Sequence, residues 1–230
     1  MPRAQAAVEI LLCSSVPTQL TIGAILHLLG WAATDAAGHM SLRFVVTLSL
    51  VDTALLVAIM AFLLRLHGES GIDLWLGHRP PGREVLVGVV TAPVLFVSVG
   101  ILLNALRLLM PGLHNVATNP LEAMAATPGQ AATFTVVAIM AGGLREELQR
   151  AFLLRRFEQH LGGVVVGVVL ISVAFGLGHW VQGWDAVVTT GGLGAFWAAF
   201  YLRRRSSVAP VVSHAAFNTL EILRVAVVGP

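Results

Sequence analysis

Apolar residues fall along this chain in long runs broken by short polar connections. The runs lie at about 6–29, 42–64, 85–110, 129–153, 163–180, 185–202 and 207–228. Each approaches the ~20 residues that carry a helix across a bilayer core. A segment alone in lipid has to satisfy its own backbone N–H and C=O groups, so each run predicts a helix. The expected fold class is all-α, a polytopic membrane bundle of 7–8 transmembrane helices forming one integral-membrane domain over 1–230. The eighth span would come from the amphipathic connection Pro111–Pro128, should it insert. The longest connection, Arg65–Glu84, is polar and punctuated by Gly and Pro. No internal repeat or low-complexity tract is visible.

Composition narrows the picture. The chain is 57% hydrophobic and 11% charged, with a mean hydropathy of +0.83. Soluble domains run at roughly 45–50% apolar and about 25% charged, so a soluble enzyme and a disordered chain are excluded. All 14 basic residues are Arg, and they are too scattered for a nucleic-acid footprint, so no nucleic-acid partner is expected. Cys13 is the only cysteine, which leaves no disulfide framework and no thiolate metal cluster. Glu9 interrupts the first apolar run, which then continues past Pro17, so the start does not read as a signal peptide.

The arginines orient the spans. Arg65, Arg79 and Arg83 share one connection, Arg155 and Arg156 another, and Arg203, Arg204 and Arg205 a third. The alternate connections Trp31–Ser41, Pro111–Pro128 and Val181–Trp184 carry no Arg. By the positive-inside rule this predicts a multi-pass cell-membrane protein with its N-terminus cytoplasmic. The all-Arg usage hints at a bacterial source, and so at an inner membrane.

Ionisable residues within spans are costly, about 2.5–3.5 kcal/mol each at a helix centre, and are functional candidates for that reason. The densest cluster is Arg145-Glu146-Glu147-Leu148-Gln149-Arg150 at the end of the fourth run. Adjacent carboxylates repel, so one of the two must be paired with a cation, protonated or bound to a metal. Arg150 lies four residues after Glu146 and three after Glu147, within reach of either on one helix face. Phe175 and His179 are four apart on the fifth run, and His214 and Asn218 four apart on the seventh. Three polar stripes in one bundle should turn inward and meet. Together Glu146, Glu147, His179, His214 and Asn218 would supply a carboxylate base, two imidazoles and an amide donor, an inventory suited to activating water. Singly, each stripe reads as well as structural glue between helices. Glu9, Asp52 and Glu221 have no partner nearby in sequence and read as structural or boundary charges. Asn104 and Arg107 can snorkel outward. Trp180, Trp184 and Trp197 read as interfacial or lipid-facing. Gly191, Gly192 and Gly194 form a small-residue surface for close helix packing.

The ordered set EELQR at 146–150, Phe175-x-x-x-His179 and His214-x-x-x-Asn218 resembles the CAAX-prenyl-protease and bacteriocin-processing family of intramembrane proteases. The resemblance covers roughly 130–220, and the first 128 residues carry no matching motif. It implies a helical membrane bundle that hydrolyses a peptide bond in or beside the membrane. Glu146 and His179 would activate water with Glu147 in support, His214 and Asn218 would hold the oxyanion, and Arg150 and Phe175 would be supporting residues. The resemblance leaves open a divalent metal such as zinc, held by Glu146, His179 and His214. The partners it implies are the lipid bilayer and a prenylated or membrane-associated peptide or protein. The family's Glu-Glu-x-x-x-Arg pattern would place its Arg at 151, where this chain has Ala151 with Arg150 one residue earlier. That departure supports a rival reading as a non-catalytic immunity or scaffold protein. A third reading is a proton-coupled transporter using Asp52, Glu146 and the histidines.

Overall fold

The computed structural model describes residues 1–35 and 38–229. Ala36 and Ala37, inside the Trp31–Ser41 connection, and Pro230 lie outside the described residues. The chain is helical: α1 (Arg3–Leu12), α2 (Val16–Leu28), α3 (Leu42–Leu66), the short α4 (Gly71–Trp75) and α5 (Pro81–Leu109). There follow α6 (Pro128–Val137), α7 (Glu146–His160), α8 (Val164–Leu177), α9 (Trp184–Arg204) and α10 (Val208–Val228). A π-helical stretch, Ala138–Arg145, joins α6 to α7.

Four segments are long and apolar enough to cross a membrane: Arg3–Leu28, Leu42–Leu66, Pro81–Leu109 and Val208–Val228. The other three predicted spans depart from that description. Helix α8 has 14 residues, α9 carries Asp185, Arg203 and Arg204, and α7 is charged along its whole length. The eighth candidate, Pro111–Pro128, forms two short 3-10 turns, at Pro111–Leu113 and Glu122–Ala125, and no spanning helix.

The first apolar run is two helices rather than one. Ser15 adopts a left-handed conformation, φ 69°, and Pro17 sits in the first turn of α2, where its missing N–H costs nothing. Side chains of α7 satisfy the broken backbone: Gln149 Nε2 donates to the Cys13 carbonyl at 2.7 Å and to Ser15 Oγ at 3.2 Å.

Polarity is distributed the opposite way from a soluble fold. Leu28, Leu108, Leu109 and Val227 are each more than 80% exposed, while Glu9, Asp52, Glu84, Glu147, Arg150, Arg156 and Asp185 are buried. An apolar exterior around paired charges suits lipid as the solvent. Glu9, which has no charged partner nearby in sequence, finds distant ones, whereas Glu221, contrary to expectation, has one only three residues on. Glu9 meets Arg156 at 2.7 Å and His67 at 2.6 Å, and Glu221 pairs with Arg224 at 3.1 Å. Arg107 does reach outward, half exposed, yet its Nε binds the buried Asp185 at 3.1 Å.

Close packing brings the late helices together. Helix α10 lies against α5 and the π stretch, and α8 against α9. At Gly176 a Cβ would come within 2.6 Å of the Val187 carbonyl, so glycine there lets α8 and α9 touch backbone to backbone.

Candidate active site

The site is built on the rod formed by α6, the π stretch and α7. Its start is a capping box: Gln130 N donates to Thr127 Oγ1 at 3.3 Å, and Gln130 Oε1 accepts from Thr127 N at 3.1 Å. Gly142 and Gly143 in the π stretch face α10. A Cβ at Gly142 would sit 2.5 Å from Asn218 Nδ2, and one at Gly143 2.6 Å from Ala215 Cβ. Wide π turns recur at functional sites because they re-aim the residues that follow. Here those residues are Glu146 and Glu147.

Successive helix residues point about 100° apart, so the two carboxylates face different neighbours. Glu147 is buried, 1% exposed. Arg150 grips it with two nitrogens, Nε to Oε2 at 3.1 Å and Nη2 to Oε1 at 3.2 Å. His214 Nδ1 donates to Glu147 Oε1 at 2.9 Å. Glu146 has a different cation: Arg145 Nη2 donates to its Oε1 at 3.0 Å. Its Oε2 lies 3.9 Å from His214 Nε2. The repulsion expected between neighbouring carboxylates is therefore met by one guanidinium for each.

Arg150 is displaced from the family position yet still paired, at i and i+3 with Glu147. Its Nη1 also donates to the Gly194 carbonyl at 3.3 Å, and its guanidinium lies 4.8 Å over the Phe175 ring. Ala151, at the family's Arg position, is fully buried beside Leu154, Ala198 and Tyr201.

Phe175 is the hub of the second stripe. Its ring meets His179 edge-on at 5.0 Å and His214 at 6.1 Å. Helix α8 ends at Leu177, so His179 stands in the turn beyond it rather than on the helix. Its Nδ1 donates to the Phe175 carbonyl at 2.8 Å. Among the described residues no ion pair or hydrogen bond joins His179 to Glu146. The geometry thus gathers Glu146, Glu147, Arg150, Phe175 and His214, with His179 adjoining through Phe175. Asn218 points to the rod, donating to the Ala138 carbonyl at 3.4 Å.

A metal held by Glu146, His179 and His214 would need three converging donors. Both imidazoles keep Nε2 available because Nδ1 is engaged, which is the arrangement of metal-bound histidines. Among the described residues, however, no three His, Cys, Asp or Glu side chains converge as a metal group. The expected donor set does not assemble, and no step below runs through a metal.

Three residues of the site escape sequence reasoning. Trp197, expected at the interface or facing lipid, is 1% exposed and stacks on His214, ring centroids 3.7 Å apart at 16°. Its Nε1 donates to Ser213 Oγ at 3.1 Å. Arg145 and Asp52 form a buried ion pair at 2.5 Å between residues 93 apart in the chain. The only hint was position: Arg145 directly precedes Glu146, and Asp52 is the one carboxylate within its apolar run.

No curated protein and no solved structure matches the chain. Residues 127–220 match the family model described as type II CAAX prenyl endopeptidase Rce1-like. That match covers less than half of the chain but contains Arg145, Glu146, Glu147, Arg150, Phe175, His179, Trp197, His214 and Asn218. Over residues 127–220 the chain is thus similar to the CAAX-protease-like family.

Proposed function

We propose that this protein is an intramembrane endopeptidase that hydrolyses a peptide bond of a prenylated or membrane-associated peptide or protein. The observation that carries the reading is the half-free carboxylate of Glu146. One of its oxygens is held by Arg145, and the other faces His214 across 3.9 Å, a gap suited to a water. Glu146 takes a proton from that water as it attacks the peptide carbonyl. The carbonyl electrons move onto oxygen, and the Asn218 amide donates to that oxyanion, with His214 Nε2 as a second donor whenever the ring carries both protons. Glu147 supports this by holding Nδ1 of His214, since a carboxylate can only accept and so fixes the ring proton on that side. The oxyanion electrons then return to re-form C=O, the C–N bond breaks, and the proton on Glu146 passes to the leaving amine. His179 adjoins this arrangement through its edge-on contact with Phe175.

The rival readings lose support. The displaced Arg150 favours a non-catalytic member only if Glu147 loses its cation, and Arg150 still grips it with two nitrogens. Asp52, the first station of a proton path, is committed to Arg145. In the protease reading the protein is a multi-pass inner-membrane protein with its N-terminus cytoplasmic. Helix α7 is enclosed by its neighbours, whereas α8 keeps an apolar outer face, with Val165, Val169, Leu170 and Val173 exposed.

The test uses protein reconstituted in liposomes with a farnesylated CAAX-terminated peptide and its unprenylated twin, cleavage being read by mass spectrometry. Wild type should cleave, and Glu146→Gln should lose at least about 100-fold in rate, the scale of general-base catalysis. Equal cleavage by Glu146→Gln would end this mechanism.

A further inference from the structure

Asp52 lies outside the family match, on α3, and is fully buried. We infer that Asp52 is a positioning residue for Glu146 and acts through Arg145. The inference rests on the reading of Glu146 as the water-activating group. Asp52 is itself held from α2, where the Thr18 hydroxyl donates to Oδ1 and Gln19 Nε2 to Oδ2 at 3.3 Å. Arg145 Nη1 donates to Asp52 Oδ2 at 2.5 Å and to Ser15 Oγ at 3.0 Å, and its Nε to the Ala141 carbonyl at 3.3 Å. A guanidinium is planar and rigid, so fixing Nη1 and Nε fixes the direction of Nη2. That third nitrogen is the one on Glu146 Oε1.

The consequence concerns the base. Freed from Asp52, Arg145 could turn both terminal nitrogens onto Glu146, and bidentate pairing would occupy both carboxylate oxygens. Held by Asp52, it offers one nitrogen and leaves Oε2 facing His214. The broken α1–α2 hairpin takes part, because Ser15 at the break binds both Arg145 and Gln149. The segment without a family motif thus completes the site. Glu146, at 21% exposed, is the most accessible member of this chain of charges, as a group that handles water must be.

A purely structural ion pair can be replaced by apolar residues of similar size without loss, whereas a positioning pair cannot. The experiment compares wild type, Asp52→Glu, Asp52→Asn and the double variant Asp52→Leu/Arg145→Met, all reconstituted. Three quantities are read: the thermal midpoint, the rate at which a hydrophobic carbodiimide couples to Glu146 at one fixed pH, and kcat and KM on the farnesylated peptide. The double variant should keep its thermal midpoint, change its Glu146 coupling rate severalfold, and lose about 100-fold in kcat, the cost of roughly 1 Å of misplacement, with KM little changed. Asp52→Glu should recover part of the loss. If the double variant does not fold, the isosteric Asp52→Asn carries the same expectation for coupling and kcat. A folded variant that couples at the wild-type rate overturns the inference, whatever its turnover. A changed coupling rate with no cleavage even by wild type supports the positioning role and removes the protease reading instead.

Discussion

His214 Nδ1 lies 2.9 Å from Glu147 Oε1, joining residues 67 apart in sequence across α10 and α7. This bond aims the free Nε2 of His214 at Glu146, and the Trp197 face beneath the ring keeps it from rotating. It also adds a third partner to a carboxylate that Arg150 already grips twice.

Arg150→Ala leaves Glu147 buried without its cation. Breaking a buried pair from one side costs about 3–5 kcal/mol, so the variant should unfold or lose much of its thermal midpoint in detergent. Arg150→Lys keeps the charge but not the two-pronged grip or the contact over Phe175, and should fall between. An unchanged midpoint for Arg150→Ala would show that Glu147 is neutral in the protein.

Gly142→Ala and Gly143→Ala should fail in different ways. At Gly142 the added Cβ meets the end of the Asn218 side chain at 2.5 Å, which can swing aside. Stability should change little, while peptide cleavage falls as Asn218 leaves its place. At Gly143 the Cβ meets Ala215 Cβ at 2.6 Å and Ala215 Cα at 3.0 Å, so α10 itself has to move. Overpacking of that kind costs about 1–3 kcal/mol. Thermal midpoints and cleavage rates of the two variants separate the effects.

The fold class was legible in the sequence because apolar runs of spanning length have few other uses. The span count was less so. Length and hydropathy cannot distinguish a lipid-facing helix from α7, a charged helix enclosed by others. Nor does a continuous apolar run reveal a left-handed Ser15 inside it, or the end of α8 before His179. The polar stripes were visible as i, i+4 pairs, and all three do approach one another, the second through Phe175 rather than His179. Asp52 and Arg145 were not legible as partners, because pairing across 93 residues leaves no local signal. Trp197 misled for a similar reason: tryptophan suits the lipid interface by composition, and only packing shows it against His214.

Outside the spans, Glu158 and Arg205 form two hydrogen bonds, each of 2.8 Å. The Arg205 guanidinium holds the Glu158 carboxyl below its usual range. A depressed carboxylate contributes stability above its unfolded pKa of about 4.3 and loses it as pH falls through the lower folded value. The thermal midpoint of wild type should therefore drop below about pH 4.3, and Glu158→Gln should flatten that part of the fall. Identical acid limbs in the two proteins would show that the pair contributes nothing.

The most direct test of the account is whether its polar helices share one site. With Cys13→Ala as background, cysteine pairs are placed at 146 and 214, at 175 and 214, and at 179 and 214, and treated in native membranes with a short bifunctional thiol reagent. The geometry predicts efficient crosslinks for 146–214 and 175–214, and a weaker one for 179–214, because His179 joins the cluster only through Phe175. Absence of a 146–214 crosslink in a folded protein would contradict the shared site and, with it, the assignment of Glu146 and His214 to one reaction.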